Sequence, residues 1–262
     1  MYKLSINEIG RKITKNKLIL QYIFDVMGRK KYLIVMAAGS GTRMGAEMPK
    51  QFIELEGKAV LQMTIEKFLK VYPDMKIVTV LPEDYMEYWR NYCLERNFGC
   101  PQILVKGGIT RFHSVQNALA KVPEGSLVAV HDAVRPLVSV NFIREIFEKA
   151  ESVPALIPVI PCVDTMKVLH DRGGQLVTVQ GQSVDRSVLY GAQTPQIFHS
   201  EVIKDAYTQA YDTSFTDDAS VVLKNGKNLS YLIGERFNIK LTTQDDLVLA
   251  KAILSLYDAS SR

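Results

Sequence analysis

The chain has 262 residues, 47% hydrophobic and 23% charged, with 32 basic against 28 acidic side chains for a formal charge of +4. That length suits one large α/β domain or two small ones, and the composition is that of an ordinary globular protein. Many basic residues crowd the first 31 positions, so the remaining body is near neutral, which disfavours a nucleic-acid groove.

Residues 1–29 read as an extension ahead of a single domain over 30–262. The apolar stretch 18–27 is interrupted by Gln21 and Asp25, too short and polar for a membrane span, and carries no small-residue cleavage site. It reads as a surface-docked amphipathic helix without catalytic role; the alternative is that Met27 is the true start. Cys93, Cys100 and Cys162 form no CxxC pair, which predicts reduced thiols in a cytoplasmic protein. The four histidines are scattered, without metal-ligand spacing.

A short apolar strand at 32–36 opens into a loop holding Gly39, Gly41 and Gly45, with Arg43 inside it and Lys50 beyond Pro49. Glycines let backbone N–H groups approach an anion closely. Cations among them can follow charge that shifts between phosphate oxygens as a bond breaks. The spacing GxGxxxG departs from the dinucleotide fingerprint, although Glu54 and Glu56 lie where a ribose-binding acid would fall. Gly41-Thr42-Arg43 also fails the Walker pattern. From the loop alone, phosphate binding and a merely structural turn both stay open.

Beyond the loop the chain alternates strands and helices. A helix is predicted over 59–72 on the apolar positions Val60, Leu61, Ile65, Phe68 and Leu69, then a strand over 76–81. A tyrosine-rich helix follows at 83–96, with Tyr85, Tyr88, Trp89 and Tyr92 as packing groups. Next come a strand at 103–105, the loop KGGITRFHS at 106–114, a helix at 115–120 and a doubly buried strand at 126–130. Such pairs predict a mainly parallel, twisted sheet with helices on both faces and ligands at the strands' carboxyl ends.

HDAVRP at 131–136 follows that last strand and places Asp132 on the same rim as the glycine loop. A lone carboxylate there could hold Mg2+, which bridges protein oxygens to substrate phosphates, and Arg135 could grip an anion bidentately. A helix cap or a local Asp–Arg pair is the bland alternative. The β-like runs 167–170 and 175–180 flank the turn signal DRGG, predicting a protruding hairpin. An isolated hairpin is marginal in water, so it must bury its apolar side elsewhere. Further on, Thr216 or Asp217 reads as a helix cap, and Thr243 with Asp246 as a capping box for a helix over 245–257.

Eight motifs fall in one order: AAGSGTRMG, PKQF, GGITRFHS, HDAVRP, DTMK, VDRS, QTPQIF and NIKLTTQDDL. As a set over about residues 31–260 they resemble the 2-C-methyl-D-erythritol 4-phosphate cytidylyltransferase family of the non-mevalonate isoprenoid pathway. The ribitol-5-phosphate cytidylyltransferases are its nearest alternative. The resemblance implies a Rossmann-like nucleotidyltransferase fold and transfer of CMP from Mg2+-CTP to a polyol phosphate, by in-line attack of the acceptor phosphate with loss of pyrophosphate. It implies that Arg43, Lys50, Lys240 and Asp132 are catalytic, with Asp132 the metal-facing group. Ala37, Ala38, Gly39, Gly41, Arg43, Lys50, Gly108, Arg111 and Ser114 would bind CTP. Asp132, Arg135, Thr165, Arg186 and Thr194 would surround the acceptor. Ile109-Thr110 stands where some relatives carry acidic residues. The hairpin, about 164–186, would interlock two subunits into a homodimer. Different in class are a non-catalytic CTP-binding regulator and an NAD-dependent dehydrogenase, the latter disfavoured by the glycine spacing.

Overall fold

The strand ahead of the glycine loop is β1 (Lys30–Met36), and its centre, Leu33–Val35, is wholly buried. The computed structural model describes residues 28–39, 48–181 and 183–260. The N-terminal stretch to residue 27 and the loop 40–47, with Gly41, Arg43 and Gly45, therefore lie outside the described residues, as does the expectation of a helix there.

After the loop a 3-10 turn (Lys50–Phe52) leads to a small hairpin of β2 (Glu54–Leu55) and β3 (Lys58–Ala59). Its tip, Glu56 and Gly57, holds φ of 51° and 75°, the pair of positive values that a tight hairpin turn requires. Helix α1 (Val60–Val71) buries Val60, Leu61, Thr64, Ile65 and Phe68 along one stripe, the spacing of a helix lying on a sheet. Then come β4 (Lys76–Leu81), α2 (Met86–Glu95), β5 (Gln102–Lys106), α3 (Arg111–Leu119), β6 (Ser126–Asp132), α4 (Val140–Ala150) and β7 (Ala155–Pro161).

The sequence boundaries shift at two informative places. α3 starts at Arg111 rather than 115 because the Thr110 side chain caps it, accepting from the His113 N–H. β6 runs two residues past 130, so His131 and Asp132 are strand residues, in register with Val35 and Met36 of β1.

The arm is β8 (Leu169–Arg172) paired antiparallel with β9 (Gln175–Thr178), with every residue of both strands exposed. Gly173 and Gly174 turn it at φ of 65° and 90°. The chain returns through β10 (Tyr190–Ala192) and β11 (Gln196–His199) into α5 (Ser200–Ala206) and α6 (Asp218–Lys224). It ends in β12 (Ser230–Ile233) and α7 (Gln244–Ser260). Asp217 caps α6 in a box with Ser220, and Thr243 and Asp246 bond each other's N–H groups at the start of α7 as their spacing suggested.

The main sheet has the order β10-β7-β11-β6-β1-β4-β5, with β12 beside β7. β6, β1, β4 and β5 are mutually parallel, as the βαβ pattern predicts, whereas β10 and β11 run antiparallel to β7. Two apolar layers cover it. One holds Phe68, Trp89 and Phe147; the other holds Phe112, Phe198 and Tyr207. Each such side chain, fully buried, contributes about 1.5–3 kcal/mol. Among the described residues no helix is long and apolar enough to cross a membrane.

Candidate active site

Four parallel strands end on one rim, and their backbone hydrogen bonds continue past the strand ends. Ala37 N–H donates to Val80, Gly107 N–H to Leu81 and Ala133 N–H to Met36. This draws the residues that follow β1, β4, β5 and β6 into one row. Space there is tight. A Cβ on Gly107 would meet Ala38 Cβ at 2.7 Å, and one on Gly108 would meet His113 Cβ at 2.5 Å.

The residues expected to meet CTP have polar groups largely engaged within the protein. Ala37 was expected to offer backbone groups to CTP. Its N–H is bonded to Val80, and its carbonyl accepts from Gln51 Nε2 at 2.7 Å. Ala37 thus has both backbone polar groups engaged within the protein, while Ala38 is half-buried and Gly39 exposed. Gln51 also reaches the Gly39 carbonyl at 3.3 Å, which sets Lys50, the next residue back, beside the end of β1. Sequence reasoning missed Gln51; the signal was an amide between Lys50 and Phe52 in PKQF.

Ser114 is likewise buried, its hydroxyl accepting from Gly108 N–H at 2.9 Å and donating to the Thr110 carbonyl. Arg111, expected to contact CTP, is engaged within the protein. Its guanidinium forks onto the wholly buried carboxylate of Asp218 from across the chain, which Tyr207 Oη also donates to at 2.6 Å. Burial opposes the Arg111 charge, but Asp218 outweighs it and raises the pKa. An arginine so paired anchors the start of α3.

The residues expected around the acceptor centre on Asp132. Its Oδ2 lies 3.0 Å from Lys240 Nζ and 3.2 Å from Arg135 Nε. Burial alone would raise the pKa of Asp132, but Lys240, Arg135 and Arg111 outweigh it and hold the carboxyl at about 2. Arg135 Nη1 also donates to the Asn238 carbonyl at 2.8 Å. Asn238 in turn donates through Nδ2 to the Thr194 carbonyl, and Gln193 exchanges two hydrogen bonds with the Glu235 backbone. This latch fixes the segment carrying Lys240 against the turn before β11. Thus Gln51, next to Lys50, is bonded to the residues after β1, and Lys240 reaches Asp132 at the end of β6, the strand beside β1.

Thr194, expected against the acceptor, is buried. Its hydroxyl accepts from the Asp132 N–H at 3.1 Å and donates to His131 Nδ1 at 3.0 Å. It holds Asp132 rather than presenting an open hydroxyl. His131 is fully buried, with Nε2 donating to the Arg135 carbonyl at 3.1 Å, and burial lowers its pKa to about 4. The ring is therefore neutral at physiological pH. Thr165 and Arg186 stand apart at the base of the arm, where Arg186 Nη1 donates to the Val163 carbonyl. Among the described residues, no hydrogen bond or ion pair joins either to Asp132, Arg135 or Lys240. No group of three or more His, Cys, Asp or Glu among the described residues could hold a metal.

A cavity of about 690 Å3 lies away from this rim, lined by Val159, Tyr190, Leu223, Tyr231 and Ile233 among others. Its lining is mainly apolar, and Asp132, Arg135 and Lys240 are not part of it.

The profile of the 2-C-methyl-D-erythritol 4-phosphate cytidylyltransferase (IspD) family matches residues 32–256. A Bacteroides thetaiotaomicron protein of that name is 42% identical over 225 residues, 86% of this chain and 100% of its own length. One from Porphyromonas gingivalis is 43% identical over 230 residues, covering 87% and 100%. Among solved structures, the Francisella tularensis cytidylyltransferase superposes with a TM-score of 0.71 at 30% identity, covering 86% of this chain and 99% of that one.

Proposed function

The chain belongs to the 2-C-methyl-D-erythritol 4-phosphate cytidylyltransferase family and transfers CMP from CTP to that phosphorylated polyol, and from this premise we propose how the rim divides the work. The acceptor phosphate attacks the α-phosphorus in line, and pyrophosphate leaves from the opposite side. Such transfers need little covalent help from protein; positioning and neutralisation of the crowded charge carry the rate. The observation that carries this reading is Asp132 Oδ2, flanked by Lys240 and Arg135 and in register with Met36 at the end of β1. Two cations already organised around one anion are preset to receive a second, the acceptor phosphate.

In this scheme Lys50 and Arg43 accompany the triphosphate, with Gly39 and Gly41 offering backbone amides. Ala38 and Gly108 border the base, while Ala37, Ser114 and Arg111 shape the pocket behind them. Lys240 and Arg135 take the acceptor phosphate beside Asp132. Mg2+ fits the donor set: both protein cations contact Asp132 through Oδ2, so Asp132 would hold the ion as a hard oxygen ligand through its other oxygen. When bound it would supply further neutralisation of the triphosphate.

Thr165 and Arg186 reach an acceptor site through a second copy of the chain, as a homodimer. Support comes from the arm, whose Leu169, Leu176 and Val177 are exposed, and from Val188, Tyr190, Tyr231 and Ile233 exposed near its base and the sheet edge. Apolar groups so clustered mark an interaction surface. Three free thiols favour a cytoplasmic setting.

Incubation with CTP, Mg2+ and each acceptor singly tests the reading. Pyrophosphate release with methylerythritol phosphate is expected. Turnover with ribitol 5-phosphate alone would replace the acceptor, and background release with both would leave a CTP-binding regulator.

A further inference from the structure

We infer that His131 is a positioning residue for the acceptor half of the site, its two ring nitrogens tying the Thr194 hydroxyl to the Arg135 main chain so that Asp132 and the Arg135 fork keep a fixed relative placement. The inference rests on the cytidylyl-transfer reading above.

The two groups flanking Asp132 arrive from different parts of the chain. Thr194 belongs to the turn before β11, and Arg135 follows β6. His131 is the side chain that bonds both. Nδ1 accepts from Thr194 Oγ1 at 3.0 Å, and Nε2–H donates to the Arg135 carbonyl at 3.1 Å. With Nε2 as donor, Nδ1 is an acceptor, so the Thr194 hydroxyl proton must point at the ring. Its lone pairs are then turned toward the Asp132 N–H, 3.1 Å away. One tautomer therefore fixes the sense of three hydrogen bonds in sequence.

The ring itself cannot swing. It is fully buried, and Phe68 packs edge-on to it at a centroid distance of 4.9 Å. Phe68 belongs to α1 and Thr194 to the return segment, so His131 sits where a helix, a parallel strand and an antiparallel strand meet. An apolar residue would satisfy packing as well. It would leave the Arg135 carbonyl and the Thr194 hydroxyl without these partners in a buried place, which is costly. A polar ring here is explained by the geometry it imposes on the neighbouring rim.

Three variants separate the two ties. Asn places an acceptor near the Nδ1 position and retains the Thr194 bond; Gln places a donor near the Nε2 position and retains the Arg135 bond; Phe retains only the volume. The expected result for His131→Phe is a loss of about tenfold or more in kcat over acceptor KM, with KM for CTP within about twofold of wild type. His131→Asn and His131→Gln should each recover part of that loss, and if the Phe variant does not fold, these two carry the test. Thr194→Val should add little in the Phe background, because the hydroxyl has already lost its orienting partner. Wild-type acceptor kinetics in all folded variants, with only a lowered Tm, would overturn the inference, as would a rise in KM for CTP parallel to that for the acceptor. A wild-type protein without turnover would overturn the cytidylyl-transfer reading and this inference together. An active wild type with unaffected variants overturns this inference alone.

Discussion

Replacing Asp132 by asparagine removes the anion on which Lys240 and Arg135 converge while keeping the side chain's shape. In the folded protein the carboxyl is held at about 2, against 3.8 for an ordinary aspartate. That difference corresponds to about 2 kcal/mol favouring the folded state at neutral pH. The sign follows from linkage. A depressed carboxyl pKa stabilises fully above the unfolded value near 3.8 and is lost as pH falls toward 2. Urea unfolding of wild type and Asp132→Asn should therefore differ by about 2 kcal/mol at pH 7 and by roughly 1 kcal/mol at pH 3. The Asp132 side chain is 13% exposed, so solvent screens it little, whereas Lys240 at 46% is screened and the figure is an upper estimate. A gap that stays constant from pH 3 to pH 7, or one near zero at neutral pH, would refute the claim that both cations act on this carboxylate.

Lys240→Met should lower Tm modestly, because it removes the cation that does most to hold the Asp132 carboxyl down, and lower kcat by about 100-fold through lost transition-state neutralisation; thermal unfolding and steady-state pyrophosphate release check it. Gly107→Ala should raise KM for CTP about tenfold, since its Cβ would press on Ala38 at 2.7 Å where neither atom ends a flexible chain. An unchanged KM would show that the rim tolerates a wider gap. Leu176→Asp, on the exposed arm, should keep the fold by circular dichroism and shift sedimentation from dimer toward monomer. Asp217→Ala removes the cap of α6, where Oδ1 accepts from the Ser220 N–H at 2.8 Å, and should cost about 1 kcal/mol of stability in urea unfolding.

The parts of the fold visible in the sequence were those coded by neighbours in the chain. The apolar strand before the glycine loop, the helix stripe from Val60 to Phe68, the DRGG turn and the Thr243–Asp246 box each depend on residues a few positions apart. What stayed hidden depends on distant partners. Arg111 was expected against CTP, and its fork onto Asp218, 107 positions away, could not be read from its neighbours. Thr194 offered a hydroxyl in sequence, but β11 folds it against Asp132 and His131. β10 and β12, three and four residues long, are too short to carry a periodic signal. The reversal of β11 followed from no local pattern. Asp132 and Arg135 could be read from the HDAVRP motif and Lys240 named by resemblance, yet the convergence of both cations on one oxygen appears only once the chain end returns to β6.

Synthesis proceeds from the amino end, so β1, β4, β5 and β6 leave the ribosome well before Thr194, Asn238 and Lys240. A nascent chain can pair those parallel strands early, since each successive unit is local. Until the final segment emerges, however, Asp132 has only Arg135 and the more distant Arg111 to offset its charge. The last stretch of translation is thus what completes the catalytic rim, and a product truncated ahead of it would hold a formed sheet with no working centre.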